Sequence, residues 1–254
     1  MSRVNAQTFR WTDYAGVLFD LDGVITPTAE IHEHAWGELF APWGFTQNDY
    51  VTYVDGKPRY DGVRSFLAAR GVTLPDGTPS DPPGDTTVAA MGNKKNLLFN
   101  VILERDGIAP YPGSAATLDL LAARNVPSAI VSSSRNAVPV LAAAGLAERF
   151  DVVIDGIVAA DAGIAGKPAP DSYLLGATRL GVDPTQTVVV EDATSGVAAG
   201  AAGGFAVVIG VDRGAGAETL LENGATFVVQ DLADLLDDPD SLQSAADTSD
   251  GEPS

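Results

Sequence analysis

The run Gly16-Val17-Leu18-Phe19 ends in Asp20-Leu21-Asp22-Gly23, and this junction constrains the chain more than any other stretch. A short apolar run closed by a turn signal reads as a buried strand. Its end then carries carboxylates spaced i, i+2, followed at once by a glycine. In open α/β sheets, ligands bind beyond the carboxyl ends of the strands. Asp20 and Asp22 therefore stand where chemistry is expected. One can attack while the other handles protons, a division of labour that suits phosphoryl transfer with a divalent cation.

Similar runs recur down the chain. Ser128 to Val131, Val152 to Ile154, Thr187 to Val190, Ala206 to Ile209 and Thr226 to Val229 all read as short buried strands. Helical patterns separate most of them. One is capped by Ser114 and runs through Leu118, Leu121 and Ala122; others span Pro139 to Leu146, Pro170 to Leu180 and Ser195 to Ala202. Strands alternating with helices predict βαβ units and a parallel sheet covered on both faces.

The segment from Pro27 to about Arg105 breaks this rhythm. It lacks β-branched strand runs and shows helical stretches around Glu30 to Leu39, Gly62 to Arg70 and Asn96 to Arg105. A helical insert after the first strand is predicted, carried by linkers near Thr26 to Thr28 and Gly107 to Tyr111. Within it, the Pro/Gly/Asp-rich stretch from Thr73 to Thr87 is expected to be a mobile loop. The acidic, polar tail from Asp237 to Ser254 is expected to be disordered.

Composition removes several function classes. A net charge of -19 over 254 residues argues against nucleic acid and against anionic membrane surfaces. The absence of cysteine excludes disulfides, zinc-thiolate sites and thiol chemistry. Residues 1–7 lack the apolar core of a signal peptide, and the run from Gly196 to Val211 is short for a membrane span. A cytoplasmic monomer without nucleic-acid or membrane partners is expected.

Alone, an Asp-x-Asp pair can be a solvated strand end. Three further features raise its significance. Ser132-Ser133-Ser134-Arg135-Asn136 follows a strand, where hydroxyls and free N–H groups make an anion site. Lys167 sits in the proline-framed turn Gly166-Lys167-Pro168-Ala169-Pro170, poised to neutralise a phosphate. Val188-Val189-Val190 ends in Glu191-Asp192, which together with Asp20 gives an all-oxygen site suited to Mg²⁺. A helix cap and a solvated turn lysine would explain the first two singly; the ordered set is harder to dismiss.

With those residues in place, the chain resembles the haloacid dehalogenase superfamily of phosphohydrolases and phosphomutases. Asp20 and Asp22 match its first motif, Ser132 its second, Lys167 its third and Glu191-Asp192 its fourth. The resemblance implies an α/β fold, with a Rossmann-like parallel-sheet core over residues 1–26 and 106–236 and an inserted helical cap over residues 27–105. It is nearer still to the beta-phosphoglucomutase-like branch, through Asp20 to Thr26, Thr28-Ala29-Glu30-Ile31-His32 with Trp36, Ser132 to Asn136, and Lys167 to Asp171.

That branch implies Asp20 as nucleophile and Asp22 as general acid/base, with Thr28 and His32 positioning Asp22 when the cap closes. Ser132, Ser133 and Lys167 would bind the transferring phosphate. Arg59 and Lys95 would hold the substrate from the cap, with Trp36 beside them, and Ser134 and Asn136 would contact it from the core. The implied metal set is Asp20, Asp22, Glu191 and Asp192 around Mg²⁺. The implied reaction interconverts β-glucose 1-phosphate and glucose 6-phosphate, with glucose 1,6-bisphosphate as activator. A Mg-dependent sugar-phosphate phosphatase is the alternative, and a non-catalytic sugar-phosphate-binding module is a third reading. The chain departs from the pattern at Pro27, where an acid is usual, and at Asp55, where a lysine is expected and Lys57 instead lies beyond the glycine.

Overall fold

The computed structural model describes residues 4–54, 57 and 59–236. The tail expected to be disordered, and Asp55, Gly56 and Pro58 of the cap loop, lie outside those residues. In chain order, β1 (Gly16–Phe19) is followed by α1 (Thr28–Phe40), α2 (Gln47–Asp49), α3 (Arg59–Ala69) and α4 (Val88–Asp106). Then come α5 (Pro112–Ala123), β2 (Ser128–Val131), α6 (Ala137–Ala143), β3 (Val152–Ile154), α7 (Gly156–Asp161) and α8 (Asp171–Leu180). The chain finishes with β4 (Thr187–Glu191), α9 (Thr194–Ala202), β5 (Val207–Val211), α10 (Ala217–Glu222) and β6 (Phe227–Val229).

The strands form one parallel sheet in the order β3-β2-β1-β4-β5-β6. β1 lies between β2 and β4, with Phe19 level with Ile130 on one side and Val190 on the other. The strand order reverses at β1, which opens a crevice beyond its carboxyl end. Alternation along β1 feeds two apolar layers. Val17 and Phe19 pack with Leu118, Leu121 and Val190, while Leu18 packs with Val131, Tyr173 and Val189 on the opposite face. Helices cover both faces, so these strands read as unbroken apolar runs. Each such side chain contributes roughly 1.5–3 kcal/mol on burial.

Helices α1 to α4 form the insert, with a core of their own. Phe40 stacks on Phe66 with centroids 4.0 Å apart, and Trp36 stacks on Phe40 at 5.3 Å. Helix α4 begins at Val88, well before the expected Asn96, and runs unbroken through Gly92. A Cβ on Gly92 would run into the Tyr60 ring, so the glycine lets α3 and α4 approach. Thr87 caps this helix by accepting from the Ala90 N–H at 2.9 Å. Asp81 accepts from Thr78 and Thr87 at 2.8 and 2.7 Å, and Asn93 donates to the Pro79 and Asp81 carbonyls, tying the 73–87 loop to α4.

Ser114 corrects the sequence reading. It does not cap α5, which starts two residues earlier at Pro112. A proline suits that first position, where no N–H is needed. The Ser114 hydroxyl instead donates to the Val24 carbonyl at 2.6 Å. No helix among the described residues is long and apolar enough to cross a membrane.

Candidate active site

Asp20 leaves β1 at the carboxyl edge of the sheet, its N–H still donating to the Val190 carbonyl at 2.9 Å. Lys167 reaches it from the turn before α8. The lysine Nζ donates to Asp20 Oδ1 and Glu191 Oε1, both at 2.6 Å, and to the Val131 carbonyl at 2.9 Å. An ammonium has three donors, and here each ties down a different strand end. Burial opposes the charge, but Asp20 and Glu191 outweigh it and hold the Lys167 pKa well above its usual value.

Glu191 is saturated. Its Oε1 also accepts from the Tyr173 hydroxyl at 3.1 Å, and its Oε2 accepts from the N–H groups of Asp192 and Ala193 at 3.0 and 2.9 Å. Gly196 leaves the space this carboxylate occupies, since a Cβ there would overlap it. Burial pushes the Asp20 carboxyl up to about 8, with Lys167 pulling it down and Glu191 and Asp22 pushing it up. Asp192 is raised well above the carboxylate range by burial, then by Glu191, Asp20 and Asp22. One lysine does not balance so many acids, and the excess negative charge favours a bound cation.

Carboxylate oxygens of Asp20, Glu191 and Asp192 all lie within 4.8 Å of one another. An all-oxygen set of that spacing fits Mg²⁺. Asp20 and Asp192 are its freer donors, because Glu191 is already fully hydrogen-bonded. Asp22 stands outside this group. Its Oδ1 accepts from the Thr28 hydroxyl, its Oδ2 accepts from Ser132 Oγ at 3.3 Å, and His32 Nε2 lies 3.9 Å from Oδ1. Burial raises its pKa, against the Thr28 hydrogen bond and the charges of Lys167 and Lys95. A raised carboxyl is what a general acid requires near neutral pH.

Behind Asp22, α1 and α4 bring in a second layer. Lys95 Nζ bonds to His32 Nδ1. The lysine is only 5% exposed, and its ammonium lies 5.2 Å from the Trp36 ring and 5.1 Å from the Phe99 ring. Burial brings the Lys95 pKa down to about 7; Asp22 pulls it up and Arg59 down. His32 stacks on Phe99 at 4.4 Å, and burial, then Lys95, hold its pKa well below the usual value. Trp36 is buried in the insert's core, where Lys95 is its polar neighbour.

The Ser132 turn sits on the core side. Ser132 Oγ accepts from the Ser134 N–H at 3.0 Å, and Ser134 Oγ accepts from the Asn136 N–H at 3.1 Å. Ser133 is exposed on this turn. Asn136 Nδ2 donates to Asn96 Oδ1 at 2.8 Å, joining the core to α4. Arg59 is half-buried, 5.2 Å from the Tyr60 ring, and pairs with no carboxylate among the described residues. Lys94, by contrast, is held by Asp85 at 2.8 Å, and Lys57 donates to Ser65 Oγ at 2.8 Å. Sequence reasoning missed Tyr173 and Asn96. Each is a lone residue in a helical pattern, with no local signal of its role.

A family model described as haloacid dehalogenase-like hydrolase matches residues 14–204. The beta-phosphoglucomutase of Mycobacterium bovis is 47% identical over 237 residues, covering 86% of this chain and 90% of that protein. Hexitol phosphatase A of Escherichia coli is 33% identical over 197 residues, covering 76% and 81%. The crystal structure of beta-phosphoglucomutase from Clostridium difficile superposes with a TM-score of 0.70 at 24% identity, over 92% of this chain and 98% of that one. The last of these shows the fold; the extent of the sequence matches shows kinship. The chain belongs to the haloacid dehalogenase-like hydrolase family, in its beta-phosphoglucomutase-like branch.

Proposed function

We propose that this chain interconverts β-glucose 1-phosphate and glucose 6-phosphate through a phosphorylated Asp20 and a sugar bisphosphate. The observation that carries the reading is the grip on Asp22. Its carboxyl is held by Thr28 and faced by His32, both on the inserted α1. An acid/base placed by the insert is ready only when a substrate is enclosed, which favours a sugar hydroxyl over water.

Phosphorylated Asp20 gives its phosphoryl group to the 6-hydroxyl of β-glucose 1-phosphate, and Asp22 takes the hydroxyl proton. The bisphosphate then presents its other end. Its 1-phosphoryl passes back to Asp20, and Asp22 returns the proton to the departing sugar oxygen. Such proton transfer is worth about 10²–10⁴-fold. Lys167, Ser132 and Ser133 hold the transferring group, whose charge must be neutralised throughout. Asp20, Glu191 and Asp192 would hold Mg²⁺, which supplies Lewis-acid charge to the phosphoryl oxygens.

Arg59 and Lys95 from the insert, with Ser134 and Asn136 from the core, would hold the distal phosphate, and Trp36 backs Lys95. Glucose 1,6-bisphosphate is the activator, because it charges Asp20 directly. The enzyme is proposed to act in the cytoplasm as a monomer, since one chain brings every residue named here to the site.

The second reading, a sugar-phosphate phosphatase, uses the same residues with water as acceptor. It is favoured by the phosphatase relative. A non-catalytic binding module is disfavoured by the presence of Asp20, Asp22, Lys167 and Asp192 together. Phosphorus NMR on the purified chain with Mg²⁺, β-glucose 1-phosphate and a trace of glucose 1,6-bisphosphate separates the three. Accumulating glucose 6-phosphate supports the mutase, inorganic phosphate alone the phosphatase, and no turnover the binding module.

A further inference from the structure

The segments that join the insert to the core meet at one core residue. Residues 23–27 lead from β1 towards α1, and residues 107–111 lead from α4 towards α5. They are tied together, since the Tyr111 N–H donates to the Ile25 carbonyl at 2.9 Å. Arg213, in the turn after β5, lies across both. Its Nε donates to the Gly23 carbonyl at 3.0 Å, and its guanidinium carbon sits 3.8 Å from the centre of the Tyr111 ring. The remaining nitrogens hold the core, donating to the Gln230 carbonyl at 3.1 Å and to Asp231 at 3.3 Å. A planar fork that stacks and donates at once is specific to arginine.

Gly23 is a sensitive place to grip. Its φ of +86° is left-handed, and a Cβ on it would fall on the Asp192 carboxylate. It also follows Asp22 directly. We propose that Arg213 is a positioning residue for phosphoryl transfer. By holding Gly23 and Tyr111 together it fixes the pivot of the helical insert, and with it the enclosed arrangement in which Asp22 serves a sugar hydroxyl rather than water. This rests on the mutase reading.

The effect is selective. Asp20, Lys167 and Ser132 belong to the core and do not touch Arg213, so the phosphoryl-accepting pocket stands without it. Thr28, His32, Arg59 and Lys95 all ride on the insert and move with its pivot. A misplacement of about 1 Å can cost up to about 100-fold in a reaction that depends on orientation.

The test compares Arg213→Ala, Tyr111→Ala and Tyr111→Phe with wild type, using the full chain with Mg²⁺. The first readout is glucose 6-phosphate formed per inorganic phosphate released, from β-glucose 1-phosphate and a trace of the bisphosphate. The second is hydrolysis of p-nitrophenyl phosphate, whose leaving group needs no proton. Arg213→Ala and Tyr111→Ala are expected to lower the ratio about tenfold or more, with ester hydrolysis changed by less than about twofold. Tyr111→Phe keeps the ring face and retains the wild-type ratio. An unchanged ratio, or equal losses in both reactions, overturns the proposal.

If wild type releases only inorganic phosphate, the mutase reading has failed, and hydrogen exchange decides the role of Arg213. Its removal is then expected to speed exchange at the Thr26 and Tyr111 amides by about tenfold, leaving Val188 to Val190 unchanged. Unaltered exchange at those linker amides ends the pivot assignment.

Discussion

With Lys95 protonated, its ammonium donates to Nδ1 of His32, and the other ring nitrogen is then the one that carries a proton and faces Asp22. An ammonium can only donate, which leaves Nδ1 as acceptor and Nε2 as the N–H. Sixty-three residues of sequence separate the two side chains. Packing of α1 against α4 brings them together in the Trp36 and Phe99 environment.

Burial of Lys95 makes its cost depend on pH. Its folded pKa of about 7 is below the unfolded value of 10.5, so the unfolded chain binds more protons between them. Stability then rises with pH across that window, and the penalty is fully present below about 7. Lys95→Met is expected to gain more stability relative to wild type at pH 6 than at pH 9, by on the order of 2 kcal/mol. Urea unfolding of both proteins at the two pH values measures this; a gain that does not shrink at pH 9 would contradict it.

Asp20→Asn removes the attacking oxygen while keeping the shape of the site. Turnover is expected to fall by on the order of 10⁴-fold or more, with no phosphorylated protein detectable. Intact-protein mass spectrometry after incubation with glucose 1,6-bisphosphate and Mg²⁺ reads the adduct directly. A phosphoryl adduct on the D20N protein would mean that the nucleophile lies elsewhere.

Arg59→Ala tests the distal phosphate. The expected result is a loss of about tenfold or more in kcat/KM for β-glucose 1-phosphate, with p-nitrophenyl phosphate hydrolysis changed by less than about twofold. Parallel losses in both would argue that Arg59 shapes the insert and does not hold a phosphate.

Gly23→Ala strikes the junction of the acid loops. The left-handed backbone costs an ordinary residue about 1–2 kcal/mol, and the new methyl would displace the Asp192 carboxylate. A lower melting temperature and a several-fold higher Mg²⁺ concentration for half-maximal activity are expected. If the Mg²⁺ requirement is unmoved, Asp192 does not depend on Gly23 for its position.

The sequence by itself determined the core. Val17 to Phe19, Ala129 to Val131 and Val188 to Val190 are apolar on both faces, and only a parallel sheet sandwiched by helices buries such strands completely. It also determined that Asp20, Ser132, Lys167 and Glu191 would share one edge, because three of them end or follow strands of that sheet and the fourth sits in a turn leading into a helix beside it. Element limits were less legible where a residue's partner is remote. The helical stretch expected from Asn96 starts at Val88, where Gly92 packs under Tyr60, and Ser114 reads as a cap until Val24 takes its hydroxyl. Tertiary structure alone decided the rest. It set Asp22 against Thr28 and Ser132, gave Glu191 the Tyr173 hydroxyl, and set Arg213 on Gly23 and Tyr111. The physical reason is separation along the chain. Strand and helix patterns express neighbours a few residues apart, whereas each of these contacts except Asp22 to Thr28 joins segments between 18 and 190 residues apart.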